Sequence, residues 1–342
     1  MRSLKIPQEE AGQRLDKYLA KYLNKAPRGF LYKMLRKKNI KRNGKRAEAN
    51  MLLEAGDILE LYLAEETMAL MRDEKKSAAE KKLPQKGKEA YSTALRLSRF
   101  CSILYEDEAL ILADKKAGVL SQKSSPSDIS LNEALLAYVE AAGEKTASGE
   151  ALLYTPSICN RLDRNTTGLI TFAKTYAAGS ALSELFRGRT MHKDYLAAIS
   201  GRLDACRLNA WLLKDEKTNR VTVSEKELSG AVRIETELEP VLSVGGYSLV
   251  KLRLLTGKTH QLRAQLAAIG HPILGDPKYG NMQENNALQK KYGIRYQMLH
   301  AYQLSFPKIL PDALHQLAGR SFTAPLPDTF HQIFPIEDFR KR

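Results

Sequence analysis

The sequence predicts an α+β protein in which a small region of helices and a hairpin precedes a larger region rich in strands. Its 342 residues suffice for about two domains, and its 43% hydrophobic content is that of an ordinary globular chain. Helical spacing and an Asn-Gly turn mark the first 64 residues, whereas short apolar and alternating runs dominate after residue 99.

The first region begins with two predicted helices. Residues 12–24 form an amphipathic pattern, with apolar side chains on one face at Leu15, Leu19 and Leu23. A second helix is predicted over residues 28–38. Residues 40–46 read as a hairpin because Asn-Gly is the strongest two-residue turn signal, and residues 58–63 read as a strand.

The positive charge of the chain is concentrated in this region. The net charge is +15, and residues 1–50 hold 15 Lys and Arg against 4 Asp and Glu. Residues 28–46 contain nine basic residues and no acidic one, which favours a polyanion-binding surface over a merely solvated face. The nine are Arg28, Lys33, Arg36, Lys37, Lys38, Lys41, Arg42, Lys45 and Arg46.

Composition also limits the compartment. No apolar run approaches the roughly 20 residues that span a bilayer, and the N-terminus lacks the apolar core of a secretory signal. The three cysteines, Cys101, Cys159 and Cys206, are odd in number and widely spaced, as expected of free thiols in a reducing cytosol. We therefore expect a cytoplasmic monomer with no membrane partner.

Residues 65–98 are rich in Lys, Glu, Ala and Ser and have no steady apolar period, which predicts a charged linker. The elements predicted beyond it are a strand pair over 103–118, a helix over 132–142, a flexible surface turn over 143–149, a strand over 169–173, a helix over 180–187, a strand over 190–201, an antiparallel meander over 202–246 and a strand that runs into a helix near 259.

The stretch that carries the chemistry is Asn160-Arg-Leu-Asp-Arg-Asn-Thr-Thr-Gly168, followed by a buried strand. Asp163 stands between Arg161 and Arg164, and neighbouring guanidiniums favour the ionised carboxylate, which suits a nucleophile or a base. From the pattern alone, a salt bridge or cap within the loop is the favoured interpretation.

This stretch, extended through Leu-Ile-Thr-Phe-Ala-Lys, resembles the signature of the RluA family of pseudouridine synthases. The resemblance implies that Asp163 is the catalytic residue. It also implies the pseudouridine synthase fold, a mixed, mostly antiparallel sheet with helices on its outer faces and a central catalytic cleft.

Two downstream blocks agree with the resemblance. Residues 193–201 match Lys-x-Tyr-x-Ala-x-x-x-Gly, which implies that Tyr195 contacts the target base, although a core tyrosine is the favoured interpretation without the family. Residues 256–263 match Thr-Gly-Lys-Thr-His-Gln-Leu-Arg, which implies that Arg263 pairs with Asp163. The resemblance also assigns Arg161 to the space that the flipped nucleotide vacates, and Leu262 to the RNA-binding residues.

The chain departs from the family pattern at two places. Lys116 stands where the family's Lys-Pro-x-Gly block has Pro, a change expected to loosen that loop. Ala264 and Gln265 replace a frequent Val-His pair, and we expect that change to be neutral.

The order of helices, hairpin and strand at the N-terminus resembles the small alpha-L RNA-binding domain. It implies an RNA-binding domain over residues 1–64, a charged linker over 65–98 and a catalytic domain over 99–342. Members with this arrangement mostly modify large-subunit ribosomal RNA, and transfer RNA is the second candidate substrate.

Other chemistries are disfavoured. The Gly-Lys-Thr at residues 257–259 is no phosphate-binding P-loop, because Leu252 stands where that motif needs Gly. No Cys or carboxylate stands at metal-ligand spacing from His260 or His271 in the sequence. Pseudouridine formation requires no redox step, so we expect no cofactor, no metal and no nucleotide. A non-catalytic RNA-binding or ribosome-assembly factor is the alternative function.

Overall fold

The computed structural model describes residues 1–72, 97–141, 153–215, 218 and 220–336. Within these residues the chain forms a four-stranded sheet with two helices near the N-terminus and an eleven-stranded sheet after residue 100. The predicted α+β class is therefore confirmed. In the part of the chain so described, no helix has the length and apolar character needed to cross a membrane.

The N-terminal region consists of strands β1 (Arg2–Lys5), β2 (Ile40–Arg42), β3 (Lys45–Arg46) and β4 (Ile58–Leu61) with helices α1 (Leu15–Tyr22) and α2 (Arg28–Arg36). The strands are antiparallel in the order β1-β4-β2-β3. Asn43 and Gly44 both have positive φ, as the predicted two-residue turn requires. The sequence did not predict β1, because four residues are too few to show a period.

The two predicted helices are present, each with its apolar face inward. Leu15, Leu19 and Leu23 are each 0% exposed, and Leu31 and Leu35 pack into the same core. Both helices are shorter than predicted. Helix α1 begins later than predicted because Arg14 has an extended backbone, and α2 ends earlier because Lys38 has φ +60, in the left-handed region.

Part of the predicted linker is ordered. Helix α3 (Glu65–Met71) lies at its start, and Met68 and Met71 pack against the N-terminal core. The guanidinium of Arg72 lies 4.2 Å from the ring centroid of Tyr22. Residues 73–96 and the predicted surface turn over 143–149 lie outside the described residues, and the domain boundaries stay a prediction.

The large sheet contains strands β5 (Cys101–Glu106), β6 (Leu110–Lys115), β7 (Ser157–Ile158), β8 (Thr167–Ala173), β9 (His192–Ser200), β10 (Cys206–Asp215), β11 (Arg220–Ser224), β12 (Val232–Val244), β13 (Tyr247–Leu254), β14 (Leu299–Ser305) and β15 (Ser321–Thr323). Nine of them follow the order β11-β10-β12-β13-β9-β14-β8-β6-β5, with β15 beside β14 and β7 beside β8. Every pair is antiparallel except β8 with β14, so the implied mixed, mostly antiparallel sheet is confirmed.

The remaining helices are α4 (Leu131–Ala141), α5 (Tyr176–Arg187), α6 (Gln261–Ala268), α7 (Met282–Tyr292) and α8 (Asp328–His331). Side chains alternate between the two faces of the sheet, as Leu169 and Ile170 on β8 illustrate. Helices α4 and α6 pack into the core on the face of Ile170. Helix α5 packs into the core of Leu169, on the opposite face. Helices α7 and α8 pack with Leu196 of β9. The neighbours of Leu196 on β9 belong to the Ile170 face, so Leu196 also lies on the opposite face.

The parallel pair β8 and β14 lies near the middle of the sheet and depends on a glycine. Gly168 has φ +109, and a Cβ placed there would lie 2.3 Å from the carbonyl oxygen of Ala301 on β14. Only glycine permits both the backbone angle and this approach. The loop that ends at Gly168 is thereby held directly against the central strands.

The N-terminal region is docked on the larger one through Glu10. This residue is 1% exposed, and its Oε1 accepts hydrogen bonds from the amides of Leu153 and Tyr154, the latter at 2.7 Å. Lys21 lies 5.4 Å from the ring centroid of Tyr176 at the start of α5. The contact lies at the end of β8 opposite to the 160–168 loop, roughly 20 Å away along the strand.

Candidate active site

The loop before β8 is held by side-chain hydrogen bonds on both sides of Asp163. The Asn160 carboxamide oxygen accepts from the Thr171 amide at 2.7 Å, and the Asn160 carboxamide nitrogen donates to the Leu169 carbonyl at 3.2 Å. The Ser121 hydroxyl donates to the Leu162 carbonyl at 2.7 Å and accepts from the Leu162 amide at 3.0 Å. The backbone at Asp163 is therefore held in place, and its side chain is 26% exposed.

Arg263 is the partner of Asp163. Its Nη1 donates to Asp163 Oδ2 at 2.7 Å, although the two residues lie 100 positions apart in the sequence. Its Nε and Nη2 donate to the two carboxylate oxygens of Asp276 at 2.7 and 2.9 Å, which is a bidentate pair. One guanidinium thus joins a buried carboxylate to an accessible one.

Asp276 holds Arg263 from the buried side. It is 0% exposed, and its Oδ1 also accepts from the amides of Lys278 and Tyr279 at 2.8 and 3.0 Å. Burial acts to raise the pKa of Asp276, but the hydrogen bonds and charge of Arg263 outweigh burial and hold the pKa below its usual value. Burial likewise acts to lower the pKa of Arg263, and the two carboxylates outweigh it and raise that pKa.

Tyr195 lies on β9, opposite Ala301 of β14 and Leu252 of β13. It is 8% exposed, and its hydroxyl has no hydrogen bond to any described residue. Burial, followed by the charge of Asp163, raises the pKa of the phenol, so the hydroxyl stays protonated at neutral pH. The ring belongs to the core cluster that also contains Leu162 and Leu262.

Lys115 is a further loop-holding residue that the sequence reasoning missed. Its Nζ is buried and donates to the carbonyls of Lys116, Val119 and Arg164 at 2.8 to 2.9 Å. Burial lowers the pKa of Lys115 to about 7, against the opposing charge of Asp163. The family block at residues 115–118 is the signal that could have found it, since Lys115 is the Lys of that block.

The structure does not show the loosened loop expected at Lys116. The amide of Lys116 donates to the carbonyl of Phe100 at 2.9 Å, a hydrogen bond that proline could not make. The substitution therefore adds a bond between this loop and the segment before β5.

The other predicted site residues divide into exposed and buried. Arg161 and Arg164 are exposed, and neither guanidinium has a hydrogen bond or ion pair to another described residue. The carboxylate of Asp163 pairs with Arg263 rather than with either sequence neighbour. Leu262 is 4% exposed within the main core, and its assignment to RNA contact stays a prediction.

Most of the predicted basic residues lie on the surface. Exposed side chains are found at Arg28, Lys33, Arg36, Lys37, Lys38, Lys45 and Arg46, while Lys41 and Arg42 are half-buried. Arg42 differs from the others because its guanidinium forms ion pairs with Asp57 at 2.6 Å and Glu54 at 3.0 Å. That charge is neutralised within the fold, so Arg42 contributes less to an anion-binding surface than predicted.

Neither of the two histidines considered as metal ligands lies in a ligand cluster. His260 lies 3.9 Å from Asp163, and the His271 ring nitrogen Nδ1 lies 2.8 Å from the Ser200 carbonyl. Among the described residues, no group of three or more His, Cys, Asp and Glu side chains is arranged to hold a metal ion.

Comparison with known proteins identifies both regions. Residues 109–268 match the family model described as RNA pseudouridylate synthase, and residues 13–59 match the S4 domain. A Pasteurella multocida protein named ribosomal large subunit pseudouridine synthase C is 30% identical over 313 residues, covering 90% of this chain and 86% of that protein. An uncharacterized RNA pseudouridine synthase of Mycoplasma genitalium is 29% identical over 309 residues, covering 89% and 88%.

Solved structures agree on the fold. Human RNA pseudouridylate synthase domain containing 4 superposes with a TM-score of 0.55 at 24% identity, covering 71% of this chain and 95% of that chain. The alternative of a non-catalytic RNA-binding factor is not supported by these matches. The chain belongs to the RNA pseudouridylate synthase family and is an RNA pseudouridine synthase with an N-terminal S4 domain.

Proposed function

We propose that this enzyme isomerises uridine in large-subunit ribosomal RNA, with Asp163 as the catalytic carboxylate. The observation that carries the assignment is the 2.7 Å bond between Asp163 and Arg263, whose guanidinium is anchored in turn on the buried Asp276. A part-exposed carboxylate held by a buried cation is pre-oriented for a group that enters from solvent. The substrate follows from the names of relatives that match most of the chain.

The reaction breaks the bond between uracil and ribose, turns the base and rejoins it to the ribose through carbon 5 of the uracil. The target nucleotide must leave its stack, at a cost of a few kcal/mol. The guanidinium of Arg161 is exposed and has no hydrogen bond or ion pair among the described residues, so it is suited to fill the vacated space. Asp163 then acts on the ribose, at carbon 1′ or on the 2′ proton, or else adds to the uracil ring.

Tyr195 and Leu262 supply the apolar side of the uracil site. Both belong to the core cluster that contains Leu162, the residue before Asp163, and the protonated Tyr195 hydroxyl has no partner among the described residues. That hydroxyl is therefore available to the flipped base, either as a hydrogen-bond donor or in a proton transfer. No redox or energy input is needed, so we propose that the enzyme works without a cofactor.

The exposed basic residues of the S4 domain are proposed to track phosphates of the same RNA. Arg28, Lys33 and Arg36 lie on α2, and Lys45 and Arg46 lie on the adjoining hairpin. We propose that residues 1–64 steer structured RNA towards the catalytic domain over 99–342, in a monomer that acts in the cytoplasm. Transfer RNA is the second substrate to be tested.

The test is a map of pseudouridine in ribosomal and transfer RNA from cells with and without the protein. We expect one or a few ribosomal sites to be lost, and to return with the wild-type protein but not with Asp163→Asn. The near-isosteric amide keeps the shape of the site but removes the charge. Sites restored by Asp163→Asn would refute the catalytic assignment, and sites lost only in transfer RNA would refute the substrate.

A further inference from the structure

Tyr279 contacts the catalytic constellation in three ways. Its amide donates to Asp276 at 3.0 Å, its ring centroid lies 5.3 Å from the guanidinium carbon of Arg263, and its hydroxyl lies 3.0 Å from Nδ1 of His260. The same hydroxyl accepts from the amide of Val221 on β11 at 3.1 Å. The tyrosine thus links the β10–β11 hairpin to the residues around Asp163.

These bonds favour one position for the proton of His260. The Tyr279 hydroxyl accepts from Val221, so its own proton is free to be donated to His260 Nδ1. Burial lowers the pKa of His260 and outweighs the opposing charge of Asp163, so the ring is neutral at pH 7 and above. A neutral ring that accepts at Nδ1 has its N–H at Nε2.

That N–H faces the catalytic carboxylate. The His260 Nε2 lies 3.9 Å from Asp163 Oδ2, the same oxygen that accepts from Arg263. Asp163 Oδ1 has no hydrogen bond to any described residue. The nitrogens of His260 and Arg263 therefore both lie near Oδ2, and Oδ1 remains available to the nucleotide.

The backbone of His260 is unusual as well. Its φ is +53, in the left-handed region, directly before the first residue of α6. A non-glycine residue in this conformation stores strain that the surroundings must offset, and such residues concentrate at functional sites. Asparagine tolerates the conformation better than most residues, which provides a means of separating backbone fit from side-chain chemistry.

We propose that His260 is a positioning residue of the uridine isomerisation: Tyr279 directs its Nε2–H to Asp163 Oδ2, and this leaves Oδ1 as the oxygen that meets the substrate. The inference rests on the proposed role of Asp163. It assigns to His260 a function in orienting charge rather than in proton transfer.

The test compares two substitutions of His260 in the full-length enzyme. The amide nitrogen of Gln reaches close to the position of Nε2, whereas that of Asn reaches only as far as Nδ1. In the free enzyme the 3.9 Å contact is longer than a hydrogen bond, and we expect it to shorten when the nucleotide binds. His260→Asn should then lower the single-turnover rate of pseudouridine formation about 10- to 100-fold, as loss of a hydrogen bond to a charged group would. His260→Gln should retain most of the rate, and both variants should bind the RNA with unchanged Kd.

A structural role predicts the opposite order. Because Asn suits the left-handed backbone at least as well as Gln, a role confined to the backbone would make His260→Asn the more active variant. Equal rates for His260→Asn and the wild type would also overturn the proposal. Asp163→Asn is run beside them, and activity of that variant would point to failure of the proposed function instead.

A second set of variants tests the tyrosine. Tyr279→Phe keeps the ring on Arg263 and removes the hydroxyl, so it should lower the rate in the same direction, while the exposed Tyr296→Phe should not. The double variant with His260→Asn should be no slower than His260→Asn alone, since both changes break one chain of contacts. If the rate losses of the two single variants multiply in the double variant, the two residues act independently, and the proposal that Tyr279 acts through His260 is overturned.

Discussion

His300 connects the loop that carries Asp163 to the centre of the sheet. It is 0% exposed, its Nδ1 lies 2.8 Å from the Thr167 hydroxyl, and its Nε2 lies 3.3 Å from the Ala324 carbonyl. A neutral ring meets both partners, with Nε2–H donating to the carbonyl and Nδ1 accepting from the hydroxyl. Burial lowers the pKa of His300 to about 4 from a reference value of 6.5.

This shift makes the stability of the protein dependent on pH. Between pH 6.5 and pH 4 the unfolded chain binds a proton at His300 that the folded protein excludes, so stability falls as the pH falls through this window. From pH 7 to pH 5 the loss at this site is about 2 kcal/mol. The free energy of unfolding in urea should therefore fall by about 2 kcal/mol less in His300→Gln than in the wild type between pH 7 and pH 5.

The exposed His331 provides the matched control. Its replacement by Gln should leave the pH dependence of unfolding as it is in the wild type. Equal pH dependence in the wild type and His300→Gln would contradict a neutral buried ring at His300.

Residues of the site differ in how far the sequence reveals them. Asp163 and Arg263 stand in long motifs with fixed spacing, and the structure brings them into contact. Asp276 and Tyr279 follow a turn beyond α6, where a carboxylate and an aromatic have no periodic signature. Their positions depend on the chain folding back onto Arg263, which is a tertiary event that local pattern does not encode.

At the scale of elements, the contact between β8 and β14 is the most restrictive in the sheet. A Cβ at Gly168 would lie 2.3 to 2.7 Å from the Ala301 backbone, which has no flexible end that can move away. Gly168→Ala should therefore destabilise the protein by about 3 kcal/mol or more. It should also lower activity, because the displaced strand adjoins the loop that carries Asp163.

Gly29→Ala is the control for this prediction. Gly29 lies in α2, and a Cβ added there would have no neighbouring atom within 4 Å, so alanine should be neutral or stabilising by about 0.5–1 kcal/mol. Thermal melts and single-turnover rates of both variants would decide the matter. A Gly168→Ala protein as stable and active as the wild type would show that the two strands can separate freely.

Elements with a clear local signal were predicted well, including the short hairpin strands β2 and β3, whereas β1 has no such signal and was missed. Helices α1, α2 and α4 and strands β6 and β8 all fall within their predicted ranges or within two residues of them. The pairing order was not predicted from the residues, because alternation shows which face is buried but not which strand lies beside which. The resemblance to the family described the sheet as mixed without giving its order.

At the scale of the molecule, charge distribution should govern RNA affinity. Lys33, Arg36 and Lys37 are exposed on or next to α2, within the most basic part of the sequence. Changing all three to Gln in the full-length protein should weaken RNA binding and reduce the slope of log Kd against log salt by about 2. The rate at saturating RNA should stay unchanged, because the proposed catalytic residue, Asp163, lies in the other region.

A control with the same loss of charge separates local from global electrostatics. Lys226, Lys290 and Lys308 are exposed and lie outside the S4 domain. Their triple change to Gln should leave the salt slope close to that of the wild type. Equal slopes for the two triple variants would mean that net charge, rather than the S4 surface, determines binding.

The parallel pair β8 and β14 also fixes an order of completion during synthesis. Thr167 and His300 are 133 positions apart, so the middle of the large sheet cannot form until the chain has been made past β14. The buried residues of the S4 core all lie between Leu4 and Leu63, and domains fold as units while the chain emerges. Each new molecule therefore gains its S4 domain early in its synthesis and the strands around Asp163 only near its end.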